Sequence, residues 1–281
     1  MNVSAFKQFL LTETELGKKS KVAKEYTPER LVPIPRQLTR DAIGIKSPLV
    51  FHGVDVWHAY EISWLTQRGK PCTAMGEMVF PCTSSYLIES KSLKLFLHSL
   101  IATQFPDLKA VEATLQKDLS LYSKSDVRVR LFPLSKTPTQ TFSPPAGICL
   151  DDIDTTIDDA STVNPSLLLS SEGLISEQLY SDLFMSNCPV TGQPDWATIL
   201  IAYRGRPINH ESLLHYLLSF RNQQEFHESC VERIFMDIVR HCKPNELSVE
   251  ARYTRRGGID INPFRSTYPN AQPSHLRLER Q

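Results

Sequence analysis

DWATILIAYRGRPINHESLLHYLLSF, residues 195–220, contains a complete passage from strand to helix. Its opening residues, through Tyr203, are apolar and β-branched enough to read as a strand. RGRP turns the chain, and Asn209 supplies an N-cap for HESLLHYLLSF. Upstream, EQLYSDLF (177–184) reads as the partner strand. Downstream, Phe226, Cys230, Ile234, Ile238 and Cys242, flanked by Val231, Phe235 and Val239, recur at helical spacing, and Pro244 follows the last of them. LSVEARYT (247–254) is again a strand, so the order is strand, strand, helix, helix, strand.

The same order occurs earlier in the chain. VDVWHAYEISWLT (54–66) alternates as a strand, QRGKP turns, and a second strand runs through Met78 to Phe80. SLKLFLHSLIATQF (92–105) is apolar at helical spacing. Asp107 caps a second helix with Leu108, Val111, Leu115 and Leu119 on one stripe, and VRVRLF (127–132) closes the set. The expected fold is α+β: two tandem ββααβ units, each an antiparallel sheet with two helices packed on one face. Residues 1–134 form the first unit, with an irregular extension to about residue 50 broken by Pro33, Pro35 and Pro48. Residues 135–170, rich in Pro, Ser and Thr, form a linker or surface crossing. Within it DDIDTTIDDA (151–160) reads as a solvated acidic loop, because Ile153 and Ile157 break any regular ligand spacing. Residues 171–281 form the second unit.

The 281 residues are 41% hydrophobic, enough for a substantial core, and Lys+Arg balance Asp+Glu at 31 each. A general nucleic-acid surface would need a basic excess, so direct nucleic-acid binding is not expected. The six cysteines lie far apart without a C-x-x-C pair, and the N-terminus lacks a signal-peptide core. The longest apolar run, 197–203, is too short to cross a bilayer. A soluble cytoplasmic protein with reduced thiols and no membrane association is expected.

SNCPVTGQPDW (186–196) places Cys188 in a turn between Asn187 and Pro189, and Asp195 at the start of a strand. Three readings compete for Cys188. A buried structural thiol is the commonest fate of a free cysteine, but Asn, Pro and Gly around it favour a surface or cleft. A zinc ligand would need partners from elsewhere in the chain. A nucleophile fits best, because a thiolate attacks carbon readily and Asp195 can protonate the developing anion. That role requires a carboxyl held protonated near neutral pH, and burial against Trp196 or a nearby thiolate would favour it. None of the eleven glycines forms a G-x-G-x-x-G, which excludes a Rossmann nucleotide site.

CPVTGQPDW (188–196), ESKSLKLF (89–96), FHE (226–228) and RYTRRGGIDINPFRS (252–266) occur together in this order. With them the chain resembles the NADPH-dependent 7-cyano-7-deazaguanine reductases, the nitrile reductases of queuosine biosynthesis, in the long form whose subunit fuses two tunnelling-fold (T-fold) units. The resemblance spans nearly the whole chain. It implies a homodimer acting on a small 7-deazaguanine substrate, with NADPH as cofactor and no metal. It implies that Cys188 attacks the nitrile carbon to form a thioimide, with Asp195 as proton donor. It assigns Ile88, Glu89, Ser90, Phe226, His227 and Glu228 to the substrate, and Ser90, Lys91, Lys94, Arg255, Arg256 and Gly257 to the cofactor. Read locally, Glu89 and Glu228 are instead helix-start acids, His227 a cap or interface histidine, and Lys91 and Lys94 exposed. Phe96 stands where the family often has tyrosine, which leaves that position a packing role.

Two other classes compete. A metal-dependent cyclohydrolase-like enzyme would draw on His227, Cys230, His241 and Cys242, but His227 and His241 are about 21 Å apart along one straight helix, beyond the reach of a single zinc. A non-catalytic purine-binding protein leaves the Cys188–Asp195 pairing without a purpose.

Overall fold

The structure is a computed structural model that describes residues 25–137, 142–157 and 162–281. It divides into two compact units, neither continuous in sequence. Among the described residues the first comprises 25–44, 55–137 and 255–260, and the second 45–54, 142–157, 162–254 and 261–281.

The first unit opens with β1 (Pro33–Pro35) and α1 (Arg36–Ala42), the short elements that a proline-rich stretch allows. β2 (His52–Thr66) and β3 (Pro71–Pro81) are joined by a turn at Gly69, whose φ of 80° suits glycine. β4 (Tyr86–Ile88) pairs antiparallel with β1. Then come α2 (Ser90–Ser99), β5 (Gln104–Phe105), α3 (Leu108–Ser123) and β6 (Arg128–Pro133), the last antiparallel to β3. The Asp107 cap forms as the sequence predicts, its Oδ1 accepting from Ala110 N at 2.8 Å. Val111, Leu115 and Leu119 are fully buried, with Leu93, Phe96, Leu97 and Leu100 of α2 and its C-terminal end completing the helical side of the core. Leu108, expected on that stripe, is half-buried at its end.

The second unit contains β7 (Ile148–Cys149), β8 (Ile175–Ser181), β9 (Met185–Asn187) and β10 (Pro194–Gly205). α4 (His210–Leu218), α5 (His227–Cys242), β11 (Glu246–Tyr253) and β12 (Ile259–Ser266) follow. β8, β10, β11 and β12 are successive antiparallel neighbours, with Leu200 paired to Tyr180 on one side and Glu250 on the other. Asn209 caps α4 by accepting from Ser212 N at 2.8 Å, as expected. Cys230, Ile234, Ile238 and Cys242 form the buried stripe of α5. Strand, strand, helix, helix, strand therefore holds for both units, and the antiparallel α+β architecture is the one the sequence implies.

From residue 142 onward the Pro/Ser/Thr-rich segment is part of the second unit where it is described, whereas residues 135–137 belong to the first. β7 lies parallel to β8, Leu150 and Leu168 are buried, and Asp151 Oδ2 accepts from Asp182 N at 2.8 Å. Asp151 is thus a structural acid rather than a solvated one. Asp158 and Asp159 of the acidic run lie outside the described residues.

Candidate active site

β9 and β10 form a hairpin whose loop is the Cys188 motif. Cys188 N donates to Gln193 O at 2.8 Å, and Gly192 N donates to Cys188 O at 3.0 Å. Gly192 has φ of 66°, the left-handed conformation this tight loop requires. The register sets Asn187 opposite Pro194 and Ser186 opposite Asp195. Cys188 is half-buried in this loop, whereas Cys82, Cys230 and Cys242 are fully buried.

Asn187, immediately before the thiol, ties the hairpin to the approach to α5. Its N–H donates to Gln223 O and its Nδ2 to Arg221 O, both at 2.8 Å, while Glu225 N donates to its carbonyl at 3.1 Å. The next residues are Phe226, the N-cap of α5, and then His227 and Glu228 in the first turn. Glu225 is fixed in turn by Arg233, whose Nε lies 3.0 Å from Oε1 and 3.1 Å from Oε2. Burial pushes Glu225 above the usual carboxylate range, and Arg233 opposes the rise. This strap brings the Cys188 loop and the FHE segment to one place.

Asp195 is only 5% exposed. His227 Nε2 sits 3.3 Å from its Oδ2, and the His227 ring lies 3.8 Å from the ring of buried Tyr253 on β11. Trp196 does not provide the expected cover. Successive strand residues point to opposite faces, and Trp196 lies half-exposed on the other face, with the Arg221 guanidinium 5.3 Å from its ring centre. Tyr253 Oη and Ser186 Oγ lie beside the Cys230 thiol, which burial and then Glu225 push far up. Neither of these hydroxyls, nor Ser229 Oγ, makes a well-formed hydrogen bond among the described residues. Glu228 is buried as well, one turn-position beyond His227.

The first unit holds the other predicted residues. Arg255–Ile259 is a tight hairpin with Arg256 N donating to Ile259 O at 2.9 Å. Gly257 and Gly258 both take positive φ, 59° and 76°, as a two-residue primed turn demands. A Cβ on Gly257 would come within 3.2–3.3 Å of the end of the Lys94 side chain, which lies along the hairpin. Arg255 is exposed, its guanidinium 4.3 Å from the ring centre of Tyr60, with no carboxylate partner among the described residues. Lys94, Arg255, Arg256 and Gly257 are therefore brought together, and Ser90 and Lys91 occupy the first turn of the Lys94 helix.

Glu89 is the N-cap of α2. Its Oε1 accepts from Lys91 N and its Oε2 from Ser92 N, both at 2.7 Å, and it is 1% exposed. Burial raises its pKa despite these bonds. Ile88 is buried too. Phe96 is fully buried, with the Tyr26 ring 6.0 Å away, so its position is one of packing. Sequence reading missed Asn187, Tyr253 and Tyr60. All three lie inside quoted stretches, but only Asn187 carried a local signal, as the residue leading into the Cys188 turn.

Residues 22–131 match the family described as "Nitrile reductase, 7-cyano-7-deazaguanine-reductase N-term", and residues 194–272 match "QueF-like protein". The chain is 51% identical over 271 residues to a protein of Coxiella burnetii (strain CbuK_Q154) named NADPH-dependent 7-cyano-7-deazaguanine reductase, covering 96% of this chain and 97% of that one. Proteins of the same name from Legionella pneumophila (strain Corby) and Dechloromonas aromatica (strain RCB) are 48% and 51% identical. The first covers 98% of this chain and 97% of its own, the second 95% and 94%. The chain belongs to the family of NADPH-dependent 7-cyano-7-deazaguanine reductases.

Proposed function

We propose that this oxidoreductase reduces the nitrile of 7-cyano-7-deazaguanine to the aminomethyl group with NADPH, through a covalent thioimide on Cys188, and so serves the making of queuosine in tRNA. The observation that carries the reading is the β9–β10 hairpin. It presents a half-buried thiol in a turn and a buried carboxyl on the adjoining strand, with His227 on that carboxyl.

Cys188 Sγ adds to the nitrile carbon, and Asp195 gives its proton to the nitrile nitrogen. One C–S bond forms, the triple bond becomes a double bond, and the carbon becomes a better hydride acceptor. Bound NADPH supplies the hydrides, one to each of two oxidised carbon states. Between them Cys188 leaves as a thiolate, which frees the imine and restores the nucleophile. His227 orients the Asp195 carboxyl and passes a proton to it for the next step. Glu228 accepts the ring N1–H and the 2-amino group of the base, and Phe226 and His227 flank the ring.

The first unit supports cofactor binding by the chemistry of its donors. Arg255 offers an exposed guanidinium without a carboxylate partner, and the Gly257–Gly258 turn permits close backbone approach. Lys91, Lys94, Arg256 and Ser90 add charge and donors. In this reading the first unit carries the cofactor residues and the second the thiol. The enzyme acts as a cytoplasmic homodimer on the free base and not on nucleic acid. Among the described residues no helix is long and apolar enough to cross a membrane. Purified protein given the nitrile should consume two equivalents of NADPH for each amine formed. NADPH consumption without amine, or none at all, overturns the proposal.

A further inference from the structure

Tyr60 makes three separate contacts to the Arg255–Asp260 segment. Its backbone N–H donates to Gly258 O at 2.9 Å, its ring carries the Arg255 guanidinium, and its hydroxyl donates to the Asp260 carboxylate. Asp260 is itself buried, and its other oxygen lies 2.7 Å from His58 Nδ1. His58 Nε2 lies 3.7 Å from Glu77 on β3, so the Asp260 end of the chain of contacts is anchored in the sheet. On the far side of the turn the Glu61 carboxylate lies against Gly258: a Cβ there would stand 2.7 Å from Glu61 Oε2 and would push that side chain aside. The hairpin is thus pinned along β2, and its exposed cation is parked on an aromatic face instead of a carboxylate.

We propose that Tyr60 is a specificity-determining positioning residue. It holds the Arg255 guanidinium in place to take the 2′-phosphate that distinguishes NADPH from NADH. The reasoning is electrostatic and geometric. A guanidinium stacked on a ring keeps its in-plane donors free for a phosphate, whereas one paired to a carboxylate has spent them. Fixing the side chain before the cofactor arrives removes part of the ordering cost of binding. Asp260 and His58 act through Tyr60 by locking its ring. The inference rests on the NADPH-reductase reading.

The test uses the full chain with Tyr60→Leu, Tyr60→Phe, Arg255→Ala and the Tyr60→Leu/Arg255→Ala double variant. NADPH and NADH binding are measured by direct titration in a Cys188→Ala background, and kcat and KM are measured for both cofactors in the Cys188 enzyme. Tyr60→Leu should lower the NADPH-over-NADH preference about tenfold, through KM more than kcat. Tyr60→Phe, which keeps the ring and loses the Asp260 bond, should lower it less. The double variant should show no lower preference than Arg255→Ala alone, because the two residues act as one device. A preference unchanged in both Tyr60 variants, or additive losses in the double variant, overturns the proposal. Direct titration separates the two readings. A Tyr60-dependent preference in a protein that reduces no nitrile supports this assignment and removes the proposed reaction alone.

Discussion

Replacing Glu228 by glutamine tests base recognition at a defined cost. Glu228 is 4% exposed in the first turn of α5, where no side chain caps the helix. The amide keeps the shape of the carboxylate and one acceptor, but it turns an N–H toward a substrate donor. A buried donor left unpaired costs about 1–3 kcal/mol. At about 1.4 kcal/mol per factor of ten, substrate affinity should fall by about fivefold to 150-fold. The assay is calorimetric titration of 7-cyano-7-deazaguanine into Cys188→Ala protein, with and without Glu228→Gln, so that no covalent capture contributes. Losing a buried negative charge at the positive end of α5 costs stability of up to about 2 kcal/mol, so a melting curve checks that folding is not the cause. In Cys188-containing protein the alkylation rate with iodoacetamide should stay within about twofold, since Glu228 is not assigned to the thiol. Unchanged substrate affinity refutes the assignment. Base reading would then fall to backbone groups, because Glu89 already gives both oxygens to α2 amides.

Asp195→Asn should slow thioimide formation by about 10²- to 10⁴-fold in quenched mass-spectrometric time courses, and a rate within threefold of the parent would remove Asp195 from the proton transfer. Asp107→Ala removes the cap on Ala110 N and should cost about 1 kcal/mol, read as a lower urea midpoint without loss of reductase activity. Glu89 has a pKa raised above the ordinary 4.5 by burial, so folding favours its protonated form. Its contribution is present below that ordinary value and is lost as pH rises through the raised one. The stability of the parent relative to Glu89→Gln should therefore decline as pH rises above the ordinary carboxylate value, and a difference that grows with pH would contradict the burial argument.

Local signals carried most of the fold. Asp107 and Asn209 cap the helices the sequence assigned them, and the buried stripes of α3 and α5 follow the apolar spacing. The Cys188 turn was legible because Pro189, Gly192 and Pro194 leave the chain few other conformations. Other features depend on contacts distant in sequence. The return of residues 255–260 to the first unit and of residues 45–54 to the second has no compositional mark. Neither does the bond between His227 and Asp195, nor the seat of Arg255 on Tyr60. β9 and β12 were missed for a different reason: β9 has three residues, and Pro263 interrupts the pattern of β12. The expectation about Trp196 failed on strand geometry alone, since neighbours along β10 face opposite ways.

The most direct test of the central claim is the intact mass of the protein after incubation with 7-cyano-7-deazaguanine in the absence of NADPH. The account predicts a gain of one substrate mass per active subunit, mapped to Cys188 by peptide analysis, and no gain in Cys188→Ala. An adduct that survives in Cys188→Ala, or no adduct in a parent protein that still reduces the nitrile, would contradict covalent catalysis by this thiol.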